Sequence, residues 1–291
     1  MSLSPQNESD LPVPTTIMLV VLTGAWLHAT WNVLTKSGRD PLIDTTLILL
    51  GGSVLSAIVL PFVGAPAPAS WPFIAVSSVL ELVYFVLLTA AYRLGDMGLT
   101  YPLMRGTAPL LVSLVSGVLL SERLHLAVRC GVGSICAGVL LMALAHRRRG
   151  GDWRPVALAL MNALVIAAYT MVDGVGARRS AHPIAYTVVI FLSASLLFVP
   201  WIAVKHPRQV TDALRQHWPS GLAGGACIIM SYGCALWAMT RAPIAPVAAL
   251  RETSILFGLV LARLVLHERL GLARLAGGLL ILSGAVVLRV G

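Results

Sequence analysis

What most constrains this chain is the recurrence of apolar runs about 20 residues long, the length an α-helix needs to cross a ~30 Å hydrocarbon core. Bounded by charges or by Pro/Gly clusters, ten such runs fall near 16–35, 43–63, 72–92, 99–120, 126–145, 155–175, 184–204, 220–240, 244–266 and 271–290. In oil a spanning segment must satisfy its own backbone N–H and C=O groups, so each run is expected to be a helix. Only 11% of the residues are charged and 57% are hydrophobic, where a soluble domain carries about 25% charged residues. A water-soluble fold is excluded. Links such as Gly64-Ala65-Pro66-Ala67-Pro68 are short, which makes neighbouring spans antiparallel. The longest link, Lys205 to Pro219, is too short to fold alone.

A net charge of +9 would suit nucleic acid, but the 21 Lys and Arg are scattered in ones to threes between apolar runs. They serve instead as topology determinants and contacts to anionic lipids. Cys130, Cys136, Cys227 and Cys234 lie inside apolar runs without CxxC spacing, so no metal site is expected. The first run follows Glu8 and Asp10 with no preceding Lys or Arg. That is the wrong flank for a secretory signal, and the run is expected to stay as the first span.

Comparing residue n with n + 146 exposes an internal repeat. Arg105 falls on Arg251, Thr107 on Thr253, Glu122 on Glu268, Arg123 on Arg269, Gly131 on Gly277, Ile135 on Ile281 and Gly138 on Gly284. Apolar matches are cheap in such a chain, but Arg, Glu and Gly in register are not, because an intramembrane Arg is costly to keep. The match is clear for the last two spans of each half and poor for the first three. An N-terminal tail (1–15), a five-helix unit (16–146), a basic loop (147–154) and a second five-helix unit (155–291) follow. With five spans per half, the second half enters from the opposite side, giving two inverted repeats around a central cavity, with a substrate site at their interface.

Polar residues mark where that site lies. His28, Trp31, Asn32 and Thr35 share one helical face, as do Glu81, Tyr84 and Leu88, and Asn162, Tyr169, Thr170 and Asp173. Ser231, Tyr232 and Trp237 belong to the eighth span. A central Asp, Lys or Arg costs about 2.5–3.5 kcal/mol against lipid, so these stripes are expected to face the bundle interior. A single Asn, Thr or Ser there reads as interhelical glue worth about 0.6 kcal/mol. Charges ask for more. Arg105 and Arg251 are the sharpest candidates, because a guanidinium binds carboxylate or phosphonate oxygens bidentately. Glu81 and Glu252 are the counter-charges, with Trp31, Tyr84, Tyr101, Tyr169 or Tyr232 for the body of a ligand. Mutual neutralisation, Arg105 with Glu81 and Arg251 with another acid, is the plainer alternative.

A cavity with both signs suits a zwitterion. Carboxyls removed from water take up protons more readily, which makes Glu81, Glu252 and Asp173 candidates for proton coupling; Asp173 and Lys36 rank lower, because both lie at span ends where snorkelling suffices. Pro102 and Pro109 in the fourth span, and Pro243 and Pro246 opening the ninth, are expected to interrupt helices near the two arginines. The Glu122-Arg123 and Glu268-Arg269 pairs occupy turns and read as clamps. No GxxxxGK[ST], HExxH or GxSxG occurs, so neither an ATP-driven pump nor an enzyme is expected, and no cofactor.

His28-Ala29-Thr30-Trp31-Asn32, Ala91-Tyr92-Arg93-Leu94-Gly95-Asp96, Tyr101-Pro102-Leu103-Met104-Arg105-Gly106, Ala168-Tyr169-Thr170 with Asp173-Gly174, and Ala249-Leu250-Arg251-Glu252-Thr253-Ser254 resemble the EamA-type members of the drug/metabolite transporter superfamily, over about residues 16–290. That resemblance implies a ten-span secondary transporter in a bacterial inner membrane, with spans 1, 3, 4, 6, 8 and 9 lining the cavity. It implies export or exchange of small polar metabolites, with amino acids or similar zwitterions preferred over drugs or organophosphonates. Partners are then the substrate and lipids, with proton coupling as an option and a monomer or weak dimer as the assembly. The family keeps both termini in the cytoplasm. Here Lys36, Arg39, Arg93, Arg147, Arg148, Arg149, Lys205 and Arg208 crowd the odd-numbered loops, and by the positive-inside rule they place the termini outside.

Overall fold

The computed structural model describes residues 14–37, 40–94, 97–119, 126–147, 152–265 and 271–290. Within them the chain is helical: α1 (Thr15–Ser37), α2 (Pro41–Val63), a 3₁₀ turn (Pro68–Ser70), α3 (Trp71–Leu94), α4 (Met97–Leu119), α5 (Leu126–Arg147), α6 (Arg154–Arg179), α7 (Pro183–Lys205), α8 (Pro207–Met239), α9 (Ile244–Arg251), α10 (Ser254–Val265) and α11 (Leu272–Val290). Seven segments are long and apolar enough to cross a membrane, and Leu103–Val112, Leu126–Leu141 and Leu275–Val287 are shorter apolar helices. The Glu122-Arg123 and Glu268-Arg269 pairs and the side chain of Lys36 lie outside the described residues.

Local chemistry sets the ends. Asp40 caps α2 by accepting a hydrogen bond from the Leu42 amide at 2.9 Å, with Pro41 at the first helical position, where a missing N–H costs nothing. Asp40 also pairs with Arg93 at the end of α3, 2.9 Å away. Gly64 ends α2 at φ 74°, a conformation glycine adopts without a Cβ penalty. Arg178 caps the far end of α8 by donating to the Met239 and Ala242 carbonyls.

The link expected from Lys205 to Pro219 is instead largely helical. The chain re-enters a helix at Pro207 and runs 33 residues to Met239, bending at His217 (φ −127°, ψ 17°) just before Pro219. Polar residues such as Gln209, Asp212 and Gln216 hid this turn from a hydropathy reading, because it is amphipathic and not apolar.

Apolar side chains face outward, including Phe62, Val79, Leu196, Met230 and Leu279, whereas Glu81, Arg105, Asp173, Arg251 and Glu252 are buried inside the bundle. This inversion of a soluble protein is what lipid as solvent requires. α5 packs on α11, α2 on α8, α3 on α6 and α7, α1 on α8 and α10, and α4 on α5, α6 and α9. Small residues let backbones touch. A Cβ on Gly138 would sit 2.5 Å from the Gly277 carbonyl oxygen, and one on Gly284 would sit 2.5 Å from that of Gly131. Partners fall along α11 as positions rise along α5, so the two helices run antiparallel. Between these contacts Ser134 donates to the Leu280 carbonyl at 2.9 Å.

Candidate functional site

On α1 the spacing of His28, Trp31 and Asn32 puts all three on one buried face. The Trp31 indole N–H donates to His28 Nδ1 at 3.2 Å, so the proton of this imidazole sits on Nε2, which has no partner among the described residues. Asn32 Nδ2 donates to the His28 carbonyl at 2.8 Å. Across from it, α3 contributes Glu81, Tyr84, Leu88 and Tyr92, all buried. α6 contributes Asn162, Tyr169, Thr170 and Asp173, and α8 contributes Tyr232.

Aromatic edges hold these helices in register. Tyr84 meets Tyr169 edge-on at 5.6 Å, Tyr169 meets Tyr232 at 6.2 Å, and Tyr232 meets Phe191 at 5.7 Å. The Arg251 guanidinium lies over the Tyr232 ring, 5.1 Å from its centroid.

Arg105 and Glu252 form the central ion pair, Nε to Oε2 at 2.9 Å, each side chain 4% exposed. This corrects the pairing of Arg105 with Glu81: the partner comes from the other half of the chain, one residue beyond the repeat equivalent of Arg105. Arg105 Nη2 has no hydrogen-bond partner among the described residues, so part of its donor fork is unspent. Glu252 reaches this position because the ninth span is broken. α9 stops at Arg251, and Glu252, Thr253 and Ile255 each donate their amide to the residue three before. The Thr253 hydroxyl takes the Leu250 carbonyl at 2.7 Å, competing with regular helix bonding. The matching interruption expected in the fourth span is absent: α4 runs continuously from Met97 to Leu119 through Pro102 and Pro109.

By sequence Asp173 lies near a span end, where snorkelling would suffice, and there the structure differs most. It is completely buried, accepting hydrogen bonds from the Tyr186 hydroxyl at 2.9 Å and from the Tyr232 hydroxyl, with Ser77 beside it. The span extends to Arg179 and the Arg178 and Arg179 side chains take the interface, which leaves Asp173 inside. Glu81 lies within electrostatic reach of both Asp173 and Arg251.

Trp237 does not join this group. It lines an apolar cleft of about 570 Å³ with Val20, Val59 and Met230, and Arg241 stacks on its ring at 4.1 Å. Asn162 is buried against α4, donating to the Met104 sulfur at 2.9 Å. Tyr101 is brought beside Arg105, Arg251 and Glu252. Tyr186 and Tyr92 were missed. Tyr92 continues the Glu81, Tyr84, Leu88 stripe by one turn, a signal that the spacing carried. Tyr186 had only a small cue: Gly176, one turn beyond Asp173, where a Cβ would strike the Tyr186 hydroxyl.

The site thus holds two guanidiniums, three carboxyls and an aromatic wall, all inside the bundle. Such a set can take an anionic group on arginine and a cationic group on a carboxyl.

Residues 153–290 match the EamA-like transporter family. A solved structure, described only as a crystal structure of a protein, superposes with a TM-score of 0.72 at 19% identity, covering 94% of this chain and 96% of the other. That likeness establishes a shared fold. No curated protein matches the chain in sequence. The second half of this multi-pass membrane protein is thus similar to the EamA-like transporter family, and nearly the whole chain shares its fold with the solved structure.

Proposed function

We propose that the protein is a secondary transporter of small zwitterions, amino acids foremost, whose ten spans form two inverted five-helix repeats, 16–146 and 155–291, that rock about a central cavity. The packing supports this architecture. Under the 146-residue offset the contact of Gly138 with Gly277 maps onto that of Gly284 with Gly131, and the helices that make both contacts are antiparallel, as an inverted duplication demands. The helix pairs α2 with α8 and α3 with α7 exchange under the same operation, as do α1 with α10 and α4 with α6.

One observation carries the functional reading. Arg105 and Arg251, repeat equivalents, are both buried, at 3% and 7% exposure, where the two halves meet, among Glu81, Asp173 and Glu252. Burying an arginine is expensive even when paired, and replacing a buried ion pair by packed apolar residues is often stabilising, so folding alone gives little reason to keep the set. Binding a charged solute in transit does. The burial corresponds to an occluded stage; in the open stages the same cluster reaches water from one side and then the other.

Uptake by proteoliposomes tests this. The wild type is expected to accumulate at least one labelled amino acid or phosphonate, and Arg105→Ala with Arg251→Ala is expected to abolish it. Equal uptake of every solute by wild type and double variant would refute the reading. Loss of phosphonate uptake alone would move the substrate class to organophosphonates.

A further inference from the structure

We infer that the apolar cleft along α8 holds one acyl chain of an anionic phospholipid, and that the lipid's phosphate seats on Arg241 at the mouth. The inference does not depend on which solute the protein moves.

Shape and chemistry point to the occupant. Ala226, Met230, Gly233 and Trp237 mark one stripe at helical spacing along α8, and α1, α2 and α7 close the other walls. The cleft measures about 570 Å³, a size typical of sites for small molecules. Met230 and Ile184, at its rims, are 57% and 54% exposed, so it opens toward lipid and not toward the central cluster. From Ala226 to Trp237 it runs about 16 Å at ~1.5 Å per residue, roughly one leaflet of a ~30 Å hydrocarbon core. No charged residue lines it, and the Thr187 hydroxyl is already spent on the Pro183 carbonyl, 2.8 Å away. Ser56 contributes one hydroxyl without a partner among the described residues, too little to hold an ion. A polar solute would leave water there without compensation. An alkyl chain loses nothing and supplies the contacts that the walls of an empty groove forgo.

The mouth of the cleft selects the headgroup. Trp237 lies one turn from the end of α8, the interfacial depth at which indoles settle. Arg241, exposed and just beyond the helix, stacks its guanidinium 4.1 Å from the Trp237 ring centroid. Its Nη1 also donates to the Thr240 hydroxyl at 3.2 Å. The two contacts hold the fork over the indole and leave its remaining N–H groups free for phosphate oxygens. Among the described residues no carboxylate pairs with Arg241. No acid lines the cleft either, so a headgroup ammonium finds no partner there and a headgroup of net negative charge fits better.

Native mass spectrometry of the delipidated protein in detergent, titrated with dioleoyl phosphatidylglycerol or dioleoyl phosphatidylcholine, tests both parts. The wild type is expected to retain one phosphatidylglycerol in preference to phosphatidylcholine. Arg241→Ala should weaken phosphatidylglycerol about fivefold, the factor equivalent to the ~1 kcal/mol of one interfacial cation, and leave phosphatidylcholine unchanged. Arg241→Lys should keep most of the binding. Other cations of the chain attract anionic lipid as well, so the difference between variants carries the result. Gly233→Leu places a side chain in the cleft and should abolish retention, whereas Gly233→Ala, whose Cβ meets nothing nearer than Thr187 at 3.8 Å, should keep it. If Gly233→Leu fails to fold, Val59→Trp, from a wall position 38% exposed, fills the same space. Equal retention of both lipids by the wild type, or a folded filling variant that binds phosphatidylglycerol as the wild type does, overturns the proposal. Unchanged phosphatidylglycerol binding by Arg241→Ala overturns the seat on Arg241. A lipid-independent dimer that Val59→Trp dissociates would put a second copy of the chain in the cleft and overturn it too.

Discussion

Replacing Gly138 or Gly284 by alanine perturbs the seam between α5 and α11 in a way the structure allows to be sized. Each new Cβ would lie 2.5 Å from a backbone carbonyl oxygen of the facing helix, against ordinary contact at 3.4 Å or more, so the helices must part by roughly 0.9 Å. No side chain can rotate away from either oxygen. Overpacking of this kind costs about 1–3 kcal/mol, and a rigid backbone contact belongs at the upper end. For a chain of this size that lowers the midpoint of thermal unfolding by roughly 2 °C per kcal/mol, or about 4–6 °C. The assay is tryptophan fluorescence during a thermal ramp in detergent. Gly258→Ala and Gly133→Ala are the controls, since nothing lies within 4 Å of a Cβ there; alanine's helix preference of about 0.5–1 kcal/mol should leave them level or slightly raised. The double variant is expected to lose less than the two single losses added, because one separation of the helices relieves both clashes. If Gly138→Ala and Gly284→Ala melt with the wild type, or Gly258→Ala falls as far as they do, the antiparallel close-packed seam is wrong.

Four other outcomes are expected. Glu252→Gln leaves a buried Arg105 without its counter-charge, which should cost about 3–5 kcal/mol in the same thermal assay, while Glu252→Asp should recover part of it. Tyr186→Phe and Tyr232→Phe each remove one donor from the fully buried Asp173 carboxyl; each should lose about 1.5–3 kcal/mol in the wild-type background and much less when Asp173 is already Ala. Ala181, at φ 58° in the turn between α6 and α7, should gain about 0.5–1 kcal/mol on replacement by Gly, read as a rise in the unfolding midpoint. A pH- or redox-independent reporter pair fused at the C-terminus, one active only in the cytoplasm and one only outside, should decide between the Lys/Arg bias and the family orientation; activity of the external reporter agrees with the bias.

Much of this molecule was legible before any coordinates. Apolar length and helical period are local properties, and they anticipated the long apolar helices and the buried faces of α1, α3 and α6. Local signals failed where polarity misled. The amphipathic start of α8 read as a link, and Asp173 read as interfacial, because hydropathy does not register how far a helix continues beyond an acid. Trp237 shares its helix with Tyr232, but five residues separate them and the period turns it toward a lipid-facing cleft.

Pairing was beyond the sequence altogether. Arg105 chooses Glu252 over Glu81 because the ninth span breaks at Arg251 and brings the next carboxyl to the guanidinium, across nearly half the chain. The run of residue types dictates which groups must leave lipid, since oil penalises each one wherever it sits along a helix. Which of them meet depends on distances of a few ångströms between helices remote in sequence, and only the packed bundle sets those.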